Sequence, residues 1–91
     1  VMKYNIADEG VKEKLAALGA LLGTEKDANA FLDLLEKWLH SLGLPTDLKS
    51  INIAADQIQE IEDYALGDPC CPANPRKVEK GDVAKIVQAL I

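Results

Sequence analysis

Apolar positions recur along this chain at intervals of three and four residues, the spacing that lines one face of an α-helix. Val11, Leu15, Leu18, Leu21 and Leu22 make the first stripe and predict a helix over residues 8–22, stopped by Gly23. Gly19, inside that helix, reads as room for close packing. Thr24-Glu25-Lys26-Asp27 then reads as an N-terminal cap, with Asp27 a shorter stand-in for the capping-box Glu. The helix that follows, residues 25–42, carries Ala28, Phe31, Leu32, Leu35, Trp38, Leu39 and Leu42 on one face, widened by Leu34. Gly43 ends it and Pro45 forbids its continuation.

The connector 43–51 holds Thr46 as the cap of a single turn around Leu48. A third helix is expected over 56–66, with Ile58, Ile61, Ala65 and Leu66 on its apolar face and Glu60, Glu62 and Asp63 on a solvated one. Residues 67–77 form a loop stiffened by Pro69, Pro72 and Pro75, each of which fixes its own φ and turns the preceding residue away from helix. A last helix is expected over 79–90, with a stripe of Val83, Ile86, Val87, Leu90 and Ile91 that is apolar to the end and predicts docking there. No segment alternates with the period of a strand. The fold class is therefore all-α, four helices in a small bundle, and residues 1–91 are read as one helical domain or subdomain.

Charge narrows the functions available. The formal net charge is −5, which opposes binding to nucleic acid, since phosphate contacts need clustered Lys and Arg. It opposes anionic membrane surfaces equally, and no apolar run approaches the roughly 18 residues of a spanning helix. The start, Val1 to Asn5, lacks the apolar core of a signal peptide, so the expected compartment is cytoplasmic.

Chemistry is sparse. A metal centre needs three or four ligands, and the chain has one His, His40, and two Cys that are neighbours, Cys70 and Cys71. His40 sits near a helix C-terminus, where a cation suits the dipole, and reads as a surface or capping residue. The adjacent cysteines read as two free thiols, because a disulfide between neighbours closes a strained ring. Ser41 follows His40 directly, but successive helical side chains point about 100° apart, so the two make no catalytic pair. No Gly-rich loop cradles phosphate. Size and acidity resemble acyl carrier proteins, yet Ser41-Leu42 closes a helix where those proteins start one.

Three loop motifs, in order, say more. "VMKYN" at 1–5, "LGLPTDL" at 42–48 and "DPC…NPRKVEKGDVAKIV" from 68 onward resemble the C-terminal helical part of the iron-dependent alcohol dehydrogenases. That family carries a V-M-x-Y-N-like turn, a G-x-P connector about forty residues later, and a D-x-C-x-x-x-N-P-R loop before a closing helix. The resemblance implies an N-terminal nucleotide-binding domain and a C-terminal helical domain, with the active site in the cleft between them. It implies Fe(2+), or Zn, held by one Asp and three His, with NAD or NADP as hydride carrier. The last of those His would fall shortly before the "VMKYN" segment, so every metal ligand is expected upstream of Val1 and none in this chain. His40 matches no ligand.

Within the resemblance, Cys70 is a wall of the substrate and nicotinamide pocket, on a loop positioned by Asn74, Pro75 and Arg76. Cys71 and Pro72 stand where the family commonly has Thr or small residues, and Glu79 stands where it has a Thr or Ser cap. The chain is accordingly expected to be a fragment of a longer enzyme that interconverts alcohols and aldehydes or ketones. Alone it would bind no cofactor and be inactive. Its partners would be the missing nucleotide-binding domain and the rest of the helical domain, with self-association when they are absent. The competing expectation is a stand-alone acidic helical interaction module without catalytic activity.

Overall fold

All residues from Val1 to Ile91 are described by a computed structural model, and every regular element in it is helical. These elements are α1 (Met2–Asn5), α2 (Glu9–Leu21), α3 (Ala28–Ser41), α4 (Ala55–Leu66), a 3-10 turn (Cys71–Ala73) and α5 (Asp82–Gln88). Four of the five α-helices run seven residues or more, and they fall within the four predicted spans to within a residue at α4. Contacts divide the chain into two compact units, Val1–Thr46 and Asp47–Ile91.

The first unit is built on α2 packed against α3, with α1 against α3. Asp8 caps α2 by accepting the Val11 N–H at 3.0 Å. Asp27, and not Thr24, caps α3, accepting the Asn29 N–H at 3.3 Å, so that helix starts three residues later than predicted. The Thr24 hydroxyl bonds the Glu25 carbonyl instead. Both helices end as the glycines foretold. Gly23 has φ of 90° and Gly43 φ of 76°, left-handed values that glycine adopts without a Cβ penalty. In each case the next residue folds back onto the helix: Thr24 N–H reaches Gly19 O at 2.9 Å and Leu44 N–H reaches Leu39 O at 3.1 Å. These bonds satisfy carbonyls that the helix end would otherwise leave open.

The buried apolar residues of this unit are Ala16, Ala28, Phe31 and Leu32. Gly19 is buried among them, and a Cβ there would lie 2.5 Å from Thr24 Oγ1 and 3.0 Å from Phe31 Cβ. Helix propensity alone would favour alanine at that site by about 1 kcal/mol. Phe31 Cβ is fixed by the α3 backbone and cannot yield, and overpacking of this kind costs about 1–3 kcal/mol. Gly19→Ala is therefore expected to lower stability in urea denaturation. A stabilised variant would show that the α2–α3 contact is looser than described.

Much of the predicted apolar face is not covered within the unit. Trp38 is 57% exposed and Leu42 56% exposed, as are Leu18, Leu21 and Leu22 to similar or greater degree. The stripes were read correctly as apolar. Part of each stripe stays open, because no side chain of this unit covers Leu18, Leu21 and Leu22 or Trp38 and Leu42.

The second unit packs α4 against α5. Gln57 Oε1 accepts the Ala54 N–H at 2.8 Å and fixes the start of α4. The turn expected from Thr46 belongs to Asp47, whose Oδ1 accepts the Lys49 N–H at 3.0 Å. α5 is shorter than predicted: it starts at Asp82 and stops at Gln88. Glu79 is not its cap. Asp82 Oδ2 accepts the Glu79 N–H at 2.8 Å, which closes a turn ahead of the helix. Beyond α5 the chain turns, and Leu90 O accepts the Leu48 N–H at 2.8 Å. Ile91, predicted to dock, is 43% exposed.

The core of this unit contains Ile58 and Val87, and at its centre a carboxylate. Glu62 is 1% exposed, the most completely buried large side chain in the chain. The sequence placed it on a solvated face. The structure reverses that reading, for the reason given below.

Candidate functional site

Three proline-bracketed turns hold residues 67–81 in one loop. Gly67 N–H bonds Asp63 O at 3.2 Å as the chain leaves α4. Asp68 then organises the next turn, its Oδ1 accepting the Cys70 N–H at 2.7 Å and its carbonyl the Cys71 N–H at 3.0 Å. The 3-10 turn Cys71–Ala73 follows, with Ala73 N–H on Cys70 O and Asn74 N–H on Cys71 O, both at 3.1 Å. Pro72 sits inside this short turn, where its missing N–H leaves no ladder bond broken.

This arrangement puts Cys70 on the outside. Its thiol is free and exposed, and that of Cys71 is free and half-buried. Asn74 is half-buried, and its Nδ2 donates to Arg76 O at 2.6 Å across Pro75. Asn74, Pro75 and Arg76 thus brace the second half of the loop, while Asp68 braces the first. Cys70 lies between the two braces.

The return to α5 is held by Glu62. Its Oε1 accepts the Gly81 N–H and its Oε2 accepts the Ala84 N–H, each at 2.9 Å. Both amides belong to the open first turn of α5, where the helix dipole favours an anion. Gly81, with φ of 96°, has no side chain to cap that turn, and a carboxylate from the neighbouring helix takes the role. A buried carboxylate persists only when its oxygens find donors, and here both do.

A second polar cluster occupies the first unit. Lys3 Nζ donates to Glu36 Oε2 at 3.3 Å, and the Thr46 hydroxyl donates to Glu36 Oε1 at 3.2 Å. Thr46 has a single proton to give, so His40 Nε2, 2.8 Å away, must be the donor in their contact. The cluster fastens α1 and the 43–46 connector to α3. The Lys3 ammonium, through its hydrogen bond and its charge, and then the Thr46 hydroxyl hold the Glu36 carboxyl below its ordinary 4.5. Since the folded value is depressed, the stabilisation is complete above about 4.5 and is lost as pH falls through the folded value. Wild type is therefore expected to lose its advantage over Glu36→Gln in denaturation below pH 4.5, and to lose part of it in high salt. A difference that stays constant from neutral pH to well below that value would refute the assignment.

No three His, Cys, Asp or Glu side chains converge to hold a metal ion. No helix is long and apolar enough to cross a membrane. His40 is exposed and engaged with Thr46, far in role from any ligand set.

The amino-acid sequence that builds these elements has counterparts among known proteins. The C-terminal model of the Fe-containing alcohol dehydrogenase family matches residues 1–91. The chain belongs to that family. Dehydrogenase ALT3 of Alternaria alternata is 32% identical over 78 residues, which take in 85% of this chain and 20% of that protein. The chain thus spans about a fifth of the length of this curated relative. No solved structure matches it. Membership in the family bears out the resemblance carried by the three loop motifs.

Proposed function

We propose that residues 1–91 are the part of an iron-dependent, NAD- or NADP-linked alcohol dehydrogenase or aldehyde reductase that walls one side of the active-site cleft. The observation that carries this reading is the family match over all 91 residues, in which the loop Asp68–Arg76 is the segment with exposed chemistry. Cys70 would face substrate and nicotinamide, offering a small, uncharged, polarisable wall. Asn74, Pro75 and Arg76 would fix its place through the bond from Asn74 to the Arg76 carbonyl.

The residues present do not fit the metal. One His and no converging carboxylates or thiols leave no ligand set, so no step of the reaction is routed through this chain. The Fe(2+) or Zn ligands and the nucleotide site belong, on this reading, to sequence upstream of Val1. The partners are then the nucleotide-binding domain and the remainder of the helical domain, and the apolar faces left open on α2 and α3 are where the latter would pack. A cytoplasmic setting suits the two free thiols, which a reducing compartment preserves.

The test is made on the full-length chain. It should bind a divalent metal and oxidise NADH or NADPH in the presence of aldehydes or ketones. A full-length protein that binds no metal and shows no nicotinamide-dependent turnover would overturn this reading.

A further inference from the structure

Glu62 touches the loop that displays Cys70 only at its last residue, Gly81, and so decides where that loop ends. The chain leaves α4 on the Asp63 carbonyl and returns on the Glu62 carboxylate, the residue next to it. Residues 67–81 therefore form a closed loop whose neck is a single turn of α4. Compact surface loops with joined ends of this kind are often functional. Within the loop, Asp68 bonds Cys70 and Cys71, Cys70 bonds Ala73, Cys71 bonds Asn74, and Asn74 bonds Arg76. Where the loop leaves α4, the Gly67 and Asp68 N–H groups bond Asp63 O and Ala65 O, each at 3.2 Å. Where it returns, the two bonds from Glu62 hold it to the same helix.

We infer that Glu62 is a positioning residue: its buried carboxylate clasps the neck of the 67–81 loop and so sets the place of Cys70 in the cleft. The second half of that statement rests on the reading of Cys70 as a cleft wall. A carboxylate serves where an amide would not, because both oxygens must accept. Gln at this position turns an N–H₂ toward a backbone N–H and loses one of the two bonds.

The experiment compares wild type, Glu62→Gln, Glu62→Ala and Ile58→Val in the full-length chain. Ile58→Val loosens the same unit without touching the clasp. Amide hydrogen exchange is followed at Gly81 and Ala84, which Glu62 contacts, and at Cys71, Ala73 and Asn74, which it does not. Glu62→Gln is expected to speed exchange at all five by about tenfold or more, the consequence of losing a charge-assisted bond. Ile58→Val, at comparable loss of stability, should not raise the three loop amides above those of α4. The clasp is overturned if Glu62→Gln quickens Gly81 and Ala84 alone, or if its pattern matches that of Ile58→Val. Glu62→Ala guards against an ambiguous Gln and should exceed it at the same amides. The KM for aldehyde reports separately on Cys70. A rise in KM with the loosened loop supports its place in the cleft. Unchanged KM beside a loosened loop keeps the clasp and discards the cleft wall.

Discussion

The isolated 91-residue chain, supplied with Fe(2+) or Zn and with NADH or NADPH, should reduce no aldehyde and oxidise no alcohol. Two shortages make this the expected result. Polarising a carbonyl oxygen takes a metal with an open position, held by about three or more protein ligands. The chain contains a single His, bonded to Thr46, and no converging group of acids or thiols. Hydride transfer also takes a cofactor fixed against the substrate, and no Gly-rich phosphate cradle occurs between Val1 and Ile91. Loss of positioning alone removes many orders of magnitude in rate, because orientation supplies about 7–11 kcal/mol of barrier lowering. The activity should thus be absent, not weakened. The check is a spectrophotometric assay of nicotinamide oxidation and reduction, run beside the full-length enzyme at equal molarity. Metal-dependent turnover by the short chain would place a complete active site within it and would end the cleft-wall reading.

How much of this was legible in the sequence depended on how local the cause was. Helix ends were legible because glycine carries its own reason: a left-handed residue at 23 and at 43 needs no Cβ, and both positions proved to be αL. Starts were less so. Thr24 and Asp27 are both good caps, and the backbone chose Asp27, three residues on. The last helix was mistaken at both ends, since Glu79 looked like its cap by position when its amide is in fact taken up by Asp82. Glu62 was the largest miss. Its donors are backbone amides 19 and 22 residues away, and a backbone N–H has no letter in the sequence. One signal was present: Glu62 lies one turn from Ile58, within the apolar stripe of α4, and α5 begins on a glycine that cannot cap it. A carboxylate inside an apolar stripe, beside an uncapped helix, is a candidate clasp. Cys70 stood out at once, by contrast, because prolines and a neighbouring cysteine marked its loop. The outward side of that loop was decided by Asp68 and Asn74, whose bonds appear only in the fold.

The exposed faces lead to the second large effect. Leu21 is 83% exposed and Leu22 64%, one turn after the half-exposed Leu18, and Trp38 and Leu42 lie on one face of α3 with Leu44 just beyond. In the second unit Ile51 and Ile91 border a shallow groove with Leu48 and Ile53. Burying a single Leu or Trp side chain gains about 1.5–3 kcal/mol, so a handful of them outweighs the cost of associating two chains at working concentrations. Contiguous apolar surface on a small soluble domain marks an interface or a tendency to aggregate. A net charge of −5 opposes association only weakly at physiological salt, where exposed charges more than about 8 Å apart are screened. The isolated chain should therefore form dimers or larger species near 100 µM, about the range where such contacts act. Light scattering reads this directly. Leu21→Glu with Trp38→Glu should return it to a monomer, because each places a charge on surface that association would bury. In the full-length chain the same pair should instead lower solubility and stability, since there the faces would lie against the rest of the helical domain. That opposition of signs separates a docking face from a merely sticky one. A clean monomer of the unmodified short chain at high concentration would mean that these side chains have no covering to lose, and the second partner would have to be sought elsewhere on the molecule.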